Sequence, residues 1–569
     1  MLNSSMSIYY APINYRTVTR VAGNTIANDG LLKALVKYGT RSTLSPYIAR
    51  ADFFDDFKKS YELDSPLKTF YPIMQGDIPA LKQSGLYMQP DVLINKMAWS
   101  RAFMSPDSFS ICGLVHALAG MDTAEEVAQL VQAPLHDWDA IICTSIASKR
   151  VMENLFNQWY DYLKTRYKEP LKSSLQLPVL PLGIHPEEVS APELHEVHRN
   201  AFRKQYGIAE HDYVVLFVGR LFFYEKAHPI PMYLALEALA QRIGSQSRVH
   251  FVQAGWFDKE EHKAHYHKAA QLFCPSVKVH FINDLDTEAK KKAIWPGADV
   301  FMSLSDNIQE SFGVTPLEAM ANRLPVIVSD WDGYRDSVRH EVDGFLIPTV
   351  LPPSGCGVDL SLGYLAKGIN WLTYAGLTAQ MAAVDVGACV NALWQLYLNP
   401  ELRQQMGAAG YRRVHEHFHW NKVLPRYDAL WDELSARRFA ATNEAKTAIG
   451  VPPLLADPFH TFSGHASTAL KSNDYFKPGQ TAISQLDTLI ANHLGGIGTQ
   501  QIVSLMYLQQ IVAAVQHKMI STQDVVHFVT SRDRTISSGV VVRSLTYLIK
   551  YDFIRIGDGA VEQQLMALT

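Results

Sequence analysis

The chain has 569 residues, about four times a typical ~150-residue domain, so it folds as several domains and not as one. A composition of 47% hydrophobic, 11% aromatic and 19% charged residues can bury sizeable cores and excludes an intrinsically disordered chain. With 52 Lys and Arg against 56 Asp and Glu, the net charge of −4 excludes a whole-surface electrostatic grip on nucleic acid or anionic lipid.

The opening segment, MLNSSMSIYYAPINYRTVTR, has no positive stretch followed by an apolar one, and no apolar run in the chain nears the ~18 residues of a membrane helix. Cys112, Cys143, Cys274, Cys356 and Cys389 are odd in number and never spaced as CxxC, which suggests neither a disulfide framework nor a zinc site. A reducing, cytoplasmic setting is expected.

Residues 1–190 read as a first domain of alternating strands and helices. An extended stretch passes through a turn at Ala22-Gly23-Asn24 into the helical pattern LLKALVKYG, which stops at Gly39. DAIICTS, from Asp139 to Ser145, is an apolar run of strand length, and a long helix follows it through Tyr167. That helix mixes Lys149, Arg150, Lys164 and Arg166 with Trp159, Tyr160, Tyr162 and Tyr167, a pattern that suits either a peripheral membrane contact or an aromatic stripe in the core with cations in water. Leu177 to Ile184, LPVLPLGI, reads as a short strand leading into an inter-domain crossing.

Residues 191–436 form the second domain. YVVLFVGR, VHFVQAGW, VKVHFI, ADVFMSLS and LPVIVSD are nearly continuous apolar runs, the signature of parallel strands buried on both faces. Two successive βα domains predict a cleft between them, with ligands at the carboxyl ends of the strands. Within the second domain, residues 350–384 read as an aromatic insertion with a Pro/Gly-rich start. Residues 437–479 read as a linker, and 480–569 as a mainly helical, winged-helix-like module. Basic and acidic residues nearly balance in that module, so protein interaction or oligomerisation is expected of it and nucleic-acid binding is not.

The chemistry concentrates in SLSDNIQESFGVTPLEAM. Glu310 lies in a loop after a strand, and Glu318 lies eight positions on, inside the start of a helix. A helix N-terminus offers unpaired N–H groups and a positive dipole end to an anion such as a diphosphate, and flanking carboxylates can accept hydrogen bonds from sugar hydroxyls. The alternative is a capping box running from Thr315 to Glu318. Gly219-Arg220 closes the strand YVVLFVGR and Lys226 follows six residues later, so two cations suited to phosphate stand in the same domain. The acid pairs Asp284/Asp286 and Asp330/Asp332 could bridge a metal to a diphosphate or simply form turns. No metal is expected, because cations are already supplied.

The order of these pieces, GR…K, a strand like VHFIND, ESFGVTPLE, LPVIVSDWDG and EVDGFLIP, resembles the GT-B glycosyltransferases, specifically glycosyltransferase family 4, over roughly residues 1–436. The resemblance implies two Rossmann-like doubly wound α/β domains facing a cleft. It also implies a retaining transfer of sugar from a nucleotide-diphosphate donor, UDP-linked by preference, to a glycan, lipid-linked or protein acceptor, with no cofactor. In it Glu310 holds donor-sugar hydroxyls, the backbone of Phe312, Gly313, Val314 and Thr315 approaches the sugar and diphosphate, and Glu318 takes the ribose. Gly219, Arg220 and Lys226 face the diphosphate, Ile282, in the loop after VKVHF, flanks the base, Gly23 stands near the phosphates and His116 near the transferred sugar. Ala22, Ala227 and Asn283 depart from the family's usual glycines. Binding without transfer, and hydrolysis or epimerisation of a nucleotide sugar, are the competing readings.

Overall fold

In the computed structural model of the protein, both stretches of βα alternation become parallel sheets. The structure describes residues 5–15, 23–62, 68–120, 123–168, 172–283, 288–443, 453 and 456–557. Residues up to 454 form one unit and those from 455 another.

The first sheet holds β1 (Ser5–Tyr9), β2 (Thr43–Ile48), β3 (Thr69–Phe70), β4 (Ile73–Met74), β5 (Leu86–Met88), β6 (Ser110–Leu114) and β7 (Ala140–Ile142) in the order β3-β2-β1-β5-β6-β7, with β4 beside β2. Every residue of β5, β6 and β7 is buried, as expected of strands covered on both faces. A bidentate pair between Arg101 and Asp139, at 2.6 and 2.7 Å and wholly out of solvent, ties the helix Asn95–Met104 to the start of β7.

The second sheet holds β8 (Tyr213–Val218), β9 (Val249–Ala254), β10 (Lys278–Ile282), β11 (Val300–Ser303), β12 (Val326–Ser329) and β13 (Gly344–Ile347) in the order β10-β9-β8-β11-β12-β13. Strand order therefore reverses between β8 and β11. The carboxyl ends of two strands at such a reversal are the usual ligand position in doubly wound sheets.

Leu177–Ile184 is not a strand: only isolated bridges form, Val179 to Cys143 and Ile184 to His419, because Pro178 and Pro181 cannot donate to a ladder. The boundary at 436 is also too early, since the helix Trp420–Ala440 continues past it. That helix packs on the first lobe. Trp420 covers Gly183 so closely that a Cβ there would meet its ring at 2.6 Å, Arg41 binds Asp428 at 2.6 Å and Asp432 at 2.9 Å, and Arg438 donates to the carbonyls of Asp107 and Gly85. Gly23, expected in a turn, is instead the first residue of the helix Gly23–Tyr38.

The helix Ile146–Tyr167 begins with a reciprocal capping box between Ser145 and Ser148 and buries Met152, Phe156 and Leu163. Trp159 and Tyr160 pack against the first lobe's core, while Tyr162 and Tyr167 are exposed. The insertion is closed at its base by an antiparallel ribbon of β14 (Thr349–Val350) and β15 (Ala383–Val384), and it carries the helices Val358–Leu365 and Trp371–Gln380. No helix among the described residues is long and apolar enough to cross a membrane.

The second unit has its own core, built from Phe476, Leu508, Ile511, Val512, Val529, Leu545 and Ile554 among others. Its helices Leu505–His517, Thr522–Arg532 and Ser538–Lys550 pack with an antiparallel sheet in which β16 (Tyr475–Pro478) lies between β17 (Ile520–Ser521) and β18 (Ile554–Gly557). The strand β16 falls inside the stretch expected to be linker.

Candidate active site

The crevice at the β8/β11 reversal is lined by the loops that carry the sequence's cations and its first glutamate. β8 ends at Val218, and the chain turns through Gly219 into Arg220, whose guanidinium binds Glu225 at 2.8 Å. The loops after β8 and β9 approach so closely that a Cβ on Gly255 would overlap the carbonyl oxygen of Gly219 at 1.8 Å. Lys226 then reaches across to the loop after β11 and pairs with the Glu310 carboxylate. Burial works against the charge on Lys226, but the attraction of Glu310, reinforced by Tyr334, outweighs it and holds the ammonium more firmly protonated than usual.

Asn307 organises this pair. Fully buried, it donates through Nδ2 to the backbone carbonyl of Lys226, and its Oδ1 accepts from the N–H groups of Gln309 at 2.8 Å and Glu310 at 3.1 Å. One amide thus fixes both backbones that carry the ion pair. Sequence reading passed over it, although an Asn followed two and three residues later by the groups it accepts from is a recognisable local turn. Its neighbour Asp306 accepts from the His228 N–H at 3.2 Å, and burial pushes its carboxyl up to about 7.

The next turn closes over the pair. Gly313 has φ of +82°, and a Cβ there would meet the Tyr334 ring at 2.0 Å, while a Cβ on Gly333 would meet the Phe312 backbone at 2.4 Å. Only glycine fits either contact. The helix Thr315–Ala321 follows, and the capping box considered for it does not form: Thr315 is its first helical residue, Val314 precedes it in helical conformation, and no side-chain cap is made. The Thr315 hydroxyl is instead buried without a hydrogen-bond partner, and Glu318 is half-buried one turn in.

The first lobe meets this cluster through His116, two residues beyond β6. Its Nε2 lies 2.6 Å from Asn28 Oδ1, and its backbone carbonyl accepts from the Ser311 hydroxyl. Burial lowers the imidazole to about 4, opposed by a hydrogen bond to the Pro90 backbone, so the ring is neutral at neutral pH. Thr144 donates to the Ser311 carbonyl at 3.4 Å, Ser145 to Asp332 at 3.3 Å, and the Ile146 N–H to Asp336 at 2.6 Å.

Glu310, Lys226, Phe312, Gly313 and His116 are thereby drawn into one connected region, with Arg220 and Gly219 on the adjoining loop. Ile282 is placed otherwise than expected: it is the last residue of β10 and buried in the core, so its backbone, which accepts from Gly255 N–H at 2.8 Å, is what faces the loop. No hydrogen bond among the described residues joins Gly23 or Ile282 to the Lys226–Glu310 pair. Asp284 and Asp286 lie outside the described residues, and Asp330 pairs with Arg335 at 3.0 Å. Among the described residues no group of three or more His, Cys, Asp or Glu is placed to hold a metal ion.

The site can therefore present two cations and a carboxylate at the mouth of a doubly wound sheet, with a neutral imidazole opposite. Residues 198–352 match the family of glycosyl transferases group 1. That segment runs from the helix before β8 to just past β13 and contains every second-lobe residue of the cluster. Over 120 residues the chain is 35% identical to human alpha-1,3/1,6-mannosyltransferase ALG2, covering 20% of this chain and 29% of that protein. Over 224 residues it is 28% identical to an uncharacterized glycosyltransferase of Methanocaldococcus jannaschii, covering 38% of this chain and 50% of the relative. The chain thus spans half or less of the length of these relatives. Among solved structures, HepE of Anabaena in complex with UDP has a TM-score of 0.47 at 13% identity, with 75% of this chain and 99% of that chain covered. The α/β fold, with two parallel doubly wound sheets, is of the GT-B type expected.

Proposed function

We propose that the protein is a retaining, metal-independent glycosyltransferase of family 4 that moves a sugar from a nucleotide-diphosphate donor to a glycan, lipid-linked or protein acceptor. The observation that carries this reading is the Lys226–Glu310 pair at the strand-order reversal of the sheet that matches the transferase family. Breaking the bond between the anomeric carbon and the phosphate oxygen leaves positive charge on the sugar and negative charge on the phosphate. In this reading Arg220 and Lys226, held by Glu225 and Glu310 in the absence of donor, stabilise the departing diphosphate, and Glu310 stabilises the sugar. Neutral His116 can hydrogen-bond a sugar hydroxyl without adding charge. The departing phosphate takes the acceptor's proton as the acceptor oxygen attacks from the same face, which retains the anomeric configuration.

The test is nucleotide release by the purified full chain from UDP-glucose, UDP-N-acetylglucosamine, ADP-glucose and GDP-mannose, with EDTA present and absent and a cell extract as acceptor source. UDP donors follow from the family resemblance, and the mannose arm from the name of the human relative. Release from one donor, unchanged by EDTA, is expected; no release from any donor overturns the reading. With the active donor in hand, Lys226→Met should lower turnover by about 100-fold, the usual cost of losing one group aimed at developing charge, and should weaken binding of the free nucleoside diphosphate as well. Separate kcat and calorimetric measurements check the two effects.

A further inference from the structure

The loop after β12, Asp330-Trp331-Asp332-Gly333-Tyr334, is built around a carboxyl whose use the functional reading does not supply. Asp332 has φ of +46°, a conformation that L side chains rarely adopt and that glycine takes freely. The turn is locked on both sides: Trp331 Nε1 donates to the Asn307 carbonyl at 2.8 Å, Gly333 presses on the Phe312 backbone, and the Tyr334 ring covers Gly313. Asp332 is thus held against the loop that carries Glu310. Its Oδ1 accepts from Ser145 of the first lobe at 3.3 Å, whereas its Oδ2 is closed off from solvent and has no hydrogen-bond partner.

A carboxylate oxygen in that position is poorly provided for. Burial raises the carboxyl well above its ordinary range, and the nearby negative charge of Glu310 raises it further. The turn carries an acid at a backbone conformation that glycine would suit better; Ser145 and the Gly333 backbone hold its carboxyl, yet one oxygen goes unpaired beside a second acid. A neutral hydrogen-bond donor would satisfy it once the loops that cover that oxygen yield to the ligand. If the protein is a transferase, what arrives beside Glu310 is the transferred sugar, and its hydroxyls are donors of that kind.

We propose that Asp332 is a sugar-recognition residue: its Oδ2 takes a hydroxyl of the transferred sugar while its Oδ1 stays on Ser145, so that the preferred donor is a neutral sugar bearing a free hydroxyl there. The assignment rests on the transferase reading. Because one carboxyl would then touch both the first lobe and the sugar, donor binding and the contact between lobes share a residue. A uronic-acid donor, which would bring a further carboxylate toward Asp332 and Glu310, is disfavoured by the same arrangement.

The experiment uses the full-length protein, the donor identified by nucleotide release, and monodeoxy analogues of that donor. Asp332→Asn and Asp332→Gly are compared with Ser145→Ala; the glycine variant suits the backbone and guards against misfolding. Both Asp332 variants should raise the donor KM at least tenfold, while calorimetric affinity for the free nucleoside diphosphate stays within twofold. Ser145→Ala should raise KM less than threefold. One deoxy analogue should be at least tenfold poorer than the parent donor for the wild-type protein and no poorer for Asp332→Gly, which identifies the hydroxyl. Unchanged KM in both Asp332 variants, a Ser145→Ala variant that reproduces their loss, or more efficient turnover of UDP-glucuronate than of UDP-glucose would overturn the assignment alone. Wild-type protein inert toward every donor would overturn the transferase reading and the assignment with it.

Discussion

Glu310→Gln is expected to lower turnover by about 1,000-fold, roughly 4 kcal/mol in the activation barrier, while leaving donor affinity within a few-fold. Gln keeps the size of the side chain and can still accept from Lys226, and the backbone of residue 310 stays anchored on Asn307. What it removes is a negative charge beside the developing positive charge on the sugar. Free of its counter-ion, Lys226 meets the donor diphosphate without having to exchange partners, so binding should hold or tighten. Single-turnover kinetics with calorimetric donor titration separates the two quantities. Turnover within tenfold of the wild type would show that Glu310 serves only to position Lys226.

The largest expected effect on stability lies far from the cleft. Asp139→Ala should destabilise the first lobe by about 3–5 kcal/mol, because it leaves the Arg101 guanidinium buried with no counter-charge. The same carboxylate accepts from the N–H groups of Ile111 at 2.9 Å and His136 at 2.9 Å, so the change also strands two backbone donors at the edges of β6 and β7. Urea unfolding followed by near-ultraviolet circular dichroism of the full chain should show the first transition shifted by that amount. Replacing both partners, Arg101→Met with Asp139→Leu, should recover only the part of the loss that comes from the stranded charge, because the Ile111 and His136 N–H groups stay unpaired. Equal loss in the single and double variants would show that the packing, not the stranded charge, carries the effect.

The reversal-point crevice was legible because its strands are unbroken apolar runs ending in Gly-Arg and in an acid-bearing loop, a combination that marks buried parallel strands with polar carboxyl ends. The pairing of Lys226 with Glu310, 84 residues apart, was not, since spacing says nothing of which loops lean together. Asn307 and Asp332 were hidden for a related reason: Asn and Asp in loops ordinarily make turns, and their importance comes from what the neighbouring loop places against them. The prolines at 178 and 181 were visible, yet the apolar letters around them outweighed their meaning. The two-residue strands β14 and β15 carry no periodicity at all, so the ribbon closing the insertion could only be seen in three dimensions.

The helix Trp420–Ala440 makes the first lobe discontinuous in the chain, and this governs the order in which the protein can be made. Residues 5–168 emerge from the ribosome with the surfaces that Trp420, Asp428 and Arg438 later cover still bare. At the usual ~5–20 residues per second, roughly 10–50 s of synthesis separates that point from the arrival of the helix. Throughout that interval the surfaces the helix will cover stay exposed to water, while the second sheet is assembled behind them.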